Sequence, residues 1–277
     1  MDIPETLQQD FSGAPLRRDS LEADPLKQFQ SWFTYALESD YPAPNAVSLA
    51  TSSSNGEPSV RTVLVKQFDT EGFVFYTNYN STKAKQIEQS TSVSVLFPWV
   101  QLGRQVIITG PAKQISREAS ARYFHSRSRG SQLSAWTSQQ SRPVDSRPEL
   151  EGALREIERR FSSDVVPLPD FWGGYRIHAL TYEFWQSRPD RLHDRFRYTR
   201  GVDNDWGITR LSPYESNRFV CPSDISGKSW VNGPESQFES LRRGRHRYDL
   251  ASASSTTCLA SLVPNATPLG GHSHSTL

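Results

Sequence analysis

The segment WQSRPDRLHDR, residues 185–195, brings three arginines and a histidine directly after a tryptophan. Guanidinium groups bind phosphate and carboxylate oxygens through paired hydrogen bonds, and they stack on flat rings. Cations beside an indole therefore suit a planar, anionic ligand. The same residues also suit a solvated surface loop, and the segment alone does not decide between these two interpretations.

A second pair of cations lies in RTVLVK, residues 61–66. Alternation along a strand puts Arg61 on one face and Lys66 on the other. A buried cation is costly unless an anion accompanies it. Each of these two side chains therefore lies either in solvent or against a bound anion.

A third candidate is YFHSRSRGSQ, residues 123–132, in which Tyr123, Arg127 and Ser131 are four residues apart. In one continuous helix this spacing aligns a phenol, a guanidinium and a hydroxyl on one face. Such a trio can hold phosphate oxygens by charge-assisted hydrogen bonds. Gly130 lies just before the last of the three and interrupts the predicted helix there, and a solvated helix face is the alternative.

The sequence lacks the motifs of the common nucleotide, metal and hydrolase sites. It contains no GxGxxG, GxxxxGK[ST], HExxH, CxxC or GxSxG. The two cysteines, Cys221 and Cys258, are too few and too far apart for a zinc site or a disulfide framework. We therefore predict no metal, and we expect any bound phosphate to be held by side chains on a β scaffold.

Charge and hydropathy argue against nucleic acid and membranes as partners. The chain has 31 basic and 30 acidic residues, so no overall field favours a polyanion. The basic stretch LRRGRHR, residues 241–247, is the one weak sign of a nucleic-acid or nuclear-import patch. The N-terminus has no signal or transit pattern, and the apolar run at 92–100 is far below the roughly 20 residues that span a bilayer. We predict a soluble cytoplasmic protein.

Hydrophobic periodicity predicts a mainly β protein with flanking helices (α+β). The helical period of 3.6 appears in residues 24–39, 116–127 and 148–162. Short β-branched and aromatic runs predict strands at 46–51, 60–68, 73–79, 92–97, 105–115, 174–186, 194–200 and 206–212. The strands are closely spaced, and Asn55-Gly56 is a typical hairpin turn, so an antiparallel sheet or barrel is expected.

Composition divides the chain into three parts. Residues 1–20 are predicted as a flexible N-terminal arm, and residues 21–213 as the folded domain. Residues 214–277 are rich in Ser, Pro, Gly and Asn and have no sustained period, so disorder is the expectation there. We expect this C-terminal tail to be dispensable for catalysis.

Over about residues 16–213, the chain resembles the pyridoxine/pyridoxamine 5′-phosphate oxidase family. The resemblance rests, in chain order, on DPLKQFQSWF, SLATSSSNGEPSVRTVLVKQFDTEGFVFYTN, GRQVIITGPAKQIS, YFHSRSRGSQLSAWTSQQS, FWGGYRIHALTYEFWQSRPDRLHDR and RLSP. FWGGYR, EFWQ and RLHDR are specific in combination. The resemblance implies an antiparallel, FMN-binding split β-barrel that forms a homodimer with two FMN sites at the subunit interface. The tail after RLSP is not part of the family pattern.

The resemblance also assigns roles to individual residues. Those expected to bind FMN are Arg61, Thr62, Val63, Leu64, Tyr76, Thr77, Thr82, Lys83, Gln105, Gln140, Ser141, Trp185 and Arg195. Those expected to bind the substrate are Lys66, Tyr123, Arg127, Ser131, Arg191, Leu192 and His193, of which Arg191 and His193 are the catalytic pair over the pyridine ring. Within the FMN set, Gln105, Trp185 and Arg195 are the neighbours of the flavin ring.

The implied reaction is oxidation of pyridoxamine or pyridoxine 5′-phosphate to pyridoxal 5′-phosphate. A hydride passes to the flavin, and O2 takes up the electrons to give H2O2; the cofactor supplies the redox chemistry. Two alternatives remain open. The first alternative to the oxidase is another split-barrel flavin reductase, and the second is a pyridoxal-phosphate or flavin carrier without turnover.

One position departs from the family pattern. The family often has Arg-Lys where this chain has Thr82-Lys83. A hydroxyl then stands in for one cationic phosphate ligand, which predicts weaker FMN binding but the same cofactor.

Overall fold

The computed structural model describes residues 13–162 and 165–213. The predicted C-terminal tail and the first twelve residues of the predicted N-terminal arm lie outside the described residues. Residues 13–20, also assigned to that arm, contact the domain, and Leu16 is buried in the main core. No helix in the described ranges is long and apolar enough to cross a membrane.

Nine antiparallel strands form the centre of the described structure. They are β1 Ala46–Ser52, β2 Pro58–Asp69, β3 Gly72–Asn78, β4 Ser92–Trp99, β5 Arg104–Gln114, β6 Trp172–Ile177, β7 Thr181–Gln186, β8 Asp194–Arg200 and β9 Trp206–Leu211. The order β4-β1-β2-β3-β6-β5 closes on itself because β5 also pairs with β4. The first half of β5 pairs in addition with β7, which continues into β8 and β9. The result is a six-stranded barrel with a three-stranded extension, and this confirms the predicted mainly β, antiparallel class.

In the part of the chain that the structure describes, five α-helices flank the barrel: α1 Pro25–Glu38, α2 Thr82–Gln89, α3 Arg117–Ser126, α4 Arg129–Thr137 and α5 Arg147–Arg160. Helix α1 inserts Phe29, which is fully buried, between Phe73 and Phe97 of the barrel at ring distances of 5.0 and 4.8 Å. A second, smaller core lies beneath α3–α5 and includes Phe124 and Trp172. The main core lies under strands β2 and β3, and the second core lies under helix α3; all three elements carry predicted site residues.

Helix α1 begins where the sequence predicts. The Asp24 side chain accepts a hydrogen bond from the backbone N–H of Leu26 at 2.8 Å, and Pro25 occupies the first helical position. Capping of this kind satisfies a backbone donor that no helical carbonyl can reach.

Replacing that cap tests its contribution. We expect Asp24→Ala to lower the free energy of unfolding by about 1 kcal/mol, since the donor loses its partner. Asp24→Asn keeps an accepting oxygen and should lose much less. Urea unfolding of the flavin-loaded protein measures both, and equal losses in the two variants would contradict the capping role.

One predicted strand is wrong in its continuity, and one expected helix break lies earlier than predicted. The strand predicted at 174–186 is two strands, β6 and β7, because the residues between them bond to β5: His178 N–H donates to Pro111 O and Leu180 N–H to Thr109 O. The helix through 123–131 is also broken, but before Gly130. Helix α3 ends at Ser126, and Ser128 caps the N-terminus of the next helix, α4. Tyr123 and Ser131 therefore lie on different helices.

Helix α2 was missed by the sequence analysis. Its sequence, TKAKQIEQ, is short and polar, and its buried face includes Lys83 and Gln86 beside Ala84 and Ile87. Polar residues on the inner face hide the apolar period that identifies a helix. Those same residues matter for the site.

Candidate functional site

An open cleft of about 740 Å³ lies between strands β2 and β3, helix α2 and the α3–α4 region. Its lining is Arg61, Thr62, Val63, Leu64, Lys66, Tyr76, Thr77, Asn78, Thr82, Lys83, Tyr123, Arg127, Ser134, Ala135, Ser138, Gln140, Ser141 and Trp172. Four of these residues are cations, and none is an aspartate or glutamate. A cleft with this charge imbalance is suited to an anionic ligand.

Arg61 on β2 is held by neutral acceptors. Its Nη1 donates to the Thr51 hydroxyl at 2.6 Å and to the Leu49 carbonyl at 3.1 Å, and its Nη2 donates to Gln86 Oε1 at 3.3 Å. Burial lowers the pKa of Arg61. The guanidinium is therefore fixed in direction while its charge lacks a carboxylate partner within the described ranges.

Lys83, in the first turn of α2, is the most unusual cation of the cleft. It is only 8% exposed, and its Nζ donates to Thr77 Oγ1 at 3.1 Å, Ser81 Oγ at 3.3 Å and Gln140 Oε1 at 3.0 Å. Burial, with a smaller contribution from the Arg61 charge, lowers the pKa of Lys83 to about 8. A bound anion would relieve this penalty. The N-terminus of α2 adds backbone N–H groups, which also favour phosphate.

The segment after α4 closes one side of the cleft. Asn78 Nδ2 donates to the Ser138 carbonyl at 3.2 Å, and the Thr77 hydroxyl donates to Gln140 Oε1 at 2.9 Å. These bonds attach residues 138–141 to the end of β3. Gln140 and Ser141 thereby come to the same cleft as Arg61, although they are far apart in sequence.

Arg127 lies at the other side of the cleft on an aromatic surface. Its guanidinium carbon is 4.7 Å from the centre of the Trp172 ring. Tyr123 stacks on Tyr76 at a ring distance of 3.8 Å, and Tyr76 stacks on Trp172 at 5.5 Å. Arg127 Nη1 is buried without a hydrogen-bond partner. An unpaired buried donor is costly, and a ligand oxygen in the cleft would satisfy it.

Lys66 and Arg61 obey the predicted alternation: Arg61 is half-buried and Lys66 is exposed. Both side chains nevertheless line the same cleft. A register shift in the pairing of β2 with β3 occurs between Val65 and Gln67, next to Lys66. The strand therefore presents two cations, one on each side of the register shift, to the same cleft.

Some lining residues were not predicted from the sequence. These are Asn78, Ser134, Ala135, Ser138 and Trp172. Trp172 was visible as part of the FWGGYR motif, and its proximity to Arg127 depends on the fold. The small residues on and after α4 carry no sequence signal of their own.

A second group of predicted residues lies on the three-stranded extension. Gln105 on β5 pairs with Trp185 on β7, and Trp185 pairs with Arg195 on β8. These flavin-ring candidates form one row across adjacent strands. They do not line the cleft of their own chain.

Arg195 in that row has a partner that the sequence analysis did not include. Glu183 Oε1 accepts from Arg195 Nε at 2.9 Å and from its Nη2 at 2.7 Å, while Oε2 accepts from Arg197 at 2.8 Å. The Glu183 side chain is only 8% exposed. It holds Arg195 in a fixed orientation and offsets part of its charge.

The loop between β7 and β8 carries Arg191, Leu192 and His193. The His193 ring lies 4.6 Å from Trp185, and its Nδ1 accepts from the Arg188 backbone N–H at 3.1 Å. Burial first, and Arg191 second, lower the pKa of His193. A neutral ring that accepts at Nδ1 carries its proton on Nε2, so His193 is set to donate a hydrogen bond.

The predicted site residues thus form two groups within one chain. The cleft contains the predicted phosphate and flavin-bed residues, while the ring neighbours and the catalytic pair lie on the extension. Residues expected at the site that do not line the cleft are Gln105, Ser131, Trp185, Arg191, Leu192, His193 and Arg195. Ser131 lies in α4 and bonds to Ser128 at 2.9 Å, because the break at 127–128 changes its direction.

The closed barrel with its extension defines the split-barrel class. Within it, residues 33–161 match the family model described as "Pyridoxamine 5′-phosphate oxidase", and residues 172–213 match "Pyridoxine 5′-phosphate oxidase C-terminal dimerisation region". Curated proteins of Rippkaea orientalis and Crocosphaera subtropica, each named pyridoxine/pyridoxamine 5′-phosphate oxidase, are 56% and 52% identical. The matches cover 77% and 75% of this chain and 100% and 98% of those proteins. The chain belongs to the pyridoxine/pyridoxamine 5′-phosphate oxidase family.

Solved structures agree with this fold. PhzG from Burkholderia lata 383, in complex with tetrahydrophenazine-1-carboxylic acid, matches with a TM-score of 0.68 and 29% identity over 73% of this chain and all of that one. An FMN-binding protein from Nostoc punctiforme matches with a TM-score of 0.57 and 18% identity, over 70% of this chain and 99% of that one. The second likeness concerns the fold alone.

Proposed function

We propose that the protein oxidises pyridoxamine and pyridoxine 5′-phosphate to pyridoxal 5′-phosphate, with FMN as cofactor and O2 as final electron acceptor. The observation that carries the proposal is a cleft lined by four cations and no carboxylate, in a member of this oxidase family. Both FMN and the substrate bring a phosphate, and two separate cationic regions are available for them. Curated relatives at about half identity are named for this activity.

The residues present fit FMN. Arg61 and Lys83 converge from β2 and α2 without a carboxylate partner in the described ranges, and the α2 N-terminus lies at the same place. The lowered pKa of Lys83 and the fixed direction of Arg61 both favour a bound phosphate dianion. Gln140 and Ser141 are then the neighbours of the ribityl chain. Residues 62–64 then lie beneath the flavin ring.

The substrate phosphate fits the opposite region of the cleft. Arg127 offers the unpaired Nη1, Tyr123 contributes a phenol, and Lys66 is an exposed cation at the β2 bulge. Together these groups suit a phosphate monoester, which carries about 2 negative charges at neutral pH. Ser131 is not included, because it does not line the cleft.

The redox chemistry, which is acceptance of a hydride from the substrate C4′ carbon and transfer of electrons to O2, would be supplied by bound FMN. The chain's own contribution is positioning. Arg191 is exposed, and its flat guanidinium can cover the pyridine ring on the face away from the cofactor. His193 donates through Nε2 to a polar substituent of the ring. Arg195, aligned by Glu183, supplies positive charge where negative charge develops on the cofactor ring.

We propose further that the active unit is a homodimer. The cleft and the Gln105–Trp185–Arg195 row are both needed at one FMN, yet the row does not line its own chain's cleft. In two copies related by a twofold axis, the row of each copy would lie at the cleft of the other, which gives two equivalent sites. The match of residues 172–213 to a dimerisation region supports this arrangement. Sedimentation of the flavin-loaded protein tests it, and an active monomer would contradict it.

The Thr82 position gives a gain-of-function test of FMN binding. Thr82 is exposed at the start of α2 and lines the cleft. We expect Thr82→Arg to tighten FMN binding roughly tenfold, because one charge-assisted bond to phosphate contributes about 1.5–3 kcal/mol, part of which is lost to side-chain ordering. Fluorescence titration of the apoprotein measures the Kd. Thr91→Arg is the control, because it adds the same charge at an exposed site outside the cleft. If Thr91→Arg tightened FMN binding equally, the gain in affinity would come from net charge and not from a bond to the phosphate.

Steady-state turnover tests the function itself. Purified protein should have a flavin spectrum, and it should form the aldehyde and H2O2 from pyridoxamine or pyridoxine 5′-phosphate. A flavin reductase would instead oxidise a nicotinamide cofactor without forming the aldehyde. A carrier would bind flavin or pyridoxal 5′-phosphate and show no turnover, and either result would overturn the proposal.

A further inference from the structure

The loop that carries the proposed catalytic pair has a strained backbone. Asp190 and Arg191 are consecutive non-glycine residues with φ of 56° and 57°, in the left-handed region. L-residues avoid this region because Cβ approaches the following carbonyl. Such a conformation persists only where the surroundings determine it. Inside the turn, the Leu192 N–H donates to the Pro189 carbonyl at 3.1 Å.

Arg188 connects this loop to its surroundings. Its backbone N–H donates to His193 Nδ1 at 3.1 Å, which spans the strained residues. Its side chain leaves the loop: Nη1 donates to the Gly13 carbonyl at 2.7 Å, and Nε lies 3.7 Å from Asp194 Oδ2. One arginine therefore bonds to both the catalytic histidine and the N-terminal segment.

Residues 13–16, which we call the N-terminal strap, are themselves fixed at both ends. At one end, Gly13 meets Arg188. At the other, the Leu16 N–H donates to Asp194 Oδ2 at 3.1 Å, and Leu16 is buried. Arg210 on β9 completes the arrangement by donating to Asp194 Oδ1 at 3.1 Å.

The strap also needs a glycine at its first residue. A Cβ at Gly13 would overlap the side-chain amide of Gln186. That amide is not free to move, because Gln186 is 1% exposed, accepts from Arg104 Nε at 3.0 Å and donates to the Gly103 carbonyl at 3.0 Å. The close approach that lets Arg188 reach the Gly13 carbonyl depends on this missing side chain.

We propose that Arg188 is a positioning residue, and that the N-terminal strap, through Arg188 and Asp194, holds the strained loop in the shape that aims Arg191 and His193 at the substrate. The proposal rests on the proposed function of that pair. Arg188 itself contacts neither substrate nor cofactor. Losing its side chain frees the loop to relax Asp190 and Arg191 out of the left-handed region, while the cleft and its phosphate ligands stay intact.

Arg188→Ala tests this by activity and by an independent measurement. In the flavin-loaded dimer we expect unchanged flavin content and a kcat/KM for pyridoxamine 5′-phosphate roughly tenfold lower. Trypsin does not cut Arg188–Pro189, so cleavage after Arg191 reports on opening of the loop. The peptide that begins at Leu192 should appear several-fold faster than in the wild type, as measured by mass spectrometry. Arg155→Ala, an exposed arginine on α5, is the matched control and should change neither value.

A mutant cycle separates positioning from general damage. If Arg188 acts only by positioning Arg191 and His193, adding Arg188→Ala to the double variant Arg191→Ala/His193→Ala lowers kcat/KM no further than that double variant alone. Independent, additive losses would overturn the proposal. So would wild-type cleavage after Arg191 in Arg188→Ala.

Gly13→Ala provides a second route that leaves Arg188 in place. It should reproduce both the faster cleavage and the lower kcat/KM, whereas Gly130→Ala, where an added Cβ meets nothing within 4 Å, should not. Wild-type values for Gly13→Ala would contradict the role of the strap. Absence of pyridoxamine 5′-phosphate turnover in the wild type would instead refute the proposed function, and the cleavage comparison would still decide on the strap.

Discussion

Flavin-loaded Arg191→Ala is expected to oxidise pyridoxamine 5′-phosphate with a kcat/KM about 10²-fold below the wild type, equivalent to about 2.7 kcal/mol of transition-state stabilisation. Arg191 is exposed on its loop and makes no ion pair in the described structure, so its removal costs little stability. Its loss should lower kcat/KM, because the substrate ring then has no planar cation over it. Flavin content should not change, because the cleft is intact.

The substitution Arg191→Lys sharpens this expectation. An ammonium keeps the charge but has no flat face to lay on the pyridine ring, so it should not restore activity. Steady-state kinetics at measured flavin content decide the matter, with Arg155→Ala as control for loss of one exposed arginine. Wild-type kinetics in Arg191→Ala would mean that the segment 185–195 is a solvated surface loop.

The affinity for FMN is expected to fall as pH rises above about 8. In the free protein, burial lowers the pKa of Lys83 to about 8, so the side chain becomes neutral above that pH. A phosphate dianion beside the ammonium raises the Lys83 pKa in the complex, and binding above pH 8 must then take up a proton. Affinity should be greatest between about pH 7 and 8, where the phosphate is a dianion and Lys83 is still charged. Above this window it should fall up to about tenfold per pH unit.

Lys83→Met identifies the group responsible. The variant should bind FMN about 10²-fold more weakly at pH 7.5, near 2.7 kcal/mol, and its affinity should no longer change between pH 7.5 and 9. Folding should not suffer, because the substitution removes a buried cation that lies beside Arg61 and has no anionic partner in the described ranges. Equilibrium titrations of the apoproteins across this pH range provide the measurement. An unchanged pH dependence in Lys83→Met would assign the titration to another group.

The barrel was predictable from local pattern. Strands β1 to β5 are short runs rich in β-branched and aromatic residues between clear turn signals, and Gly56, with a φ of 86°, forms the expected turn between β1 and β2. Helix α1 had both its cap and its apolar face in the sequence. Each of these features depends on neighbours along the chain, which is why periodicity detects them.

Other features depend on contacts between distant residues. The inner face of α2 is polar because Lys83 lines the cleft and Gln86 accepts a hydrogen bond from Arg61, and this suppressed its helical signal. The strand predicted at 174–186 had one uniform composition, and its division is set by pairing with β5. Glu183 as the partner of Arg195 is likewise visible only in the register of β7 with β8. The site residues themselves came from the family resemblance, and their separation into two groups became apparent from the fold.

In the proposed enzyme, one cleft holds the FMN phosphate at Arg61 and Lys83 and the substrate phosphate at Arg127 and Tyr123. Anaerobic mixing of the flavin-loaded protein with substrate tests this most directly, because it isolates flavin reduction from the reaction with O2. Pyridoxamine 5′-phosphate should bleach the visible flavin absorbance, and pyridoxamine without its phosphate should do so orders of magnitude less efficiently. In Arg127→Ala the two compounds should become similar, because the phosphate has lost its buried donor. Equal bleaching by both compounds in the wild type would contradict the account.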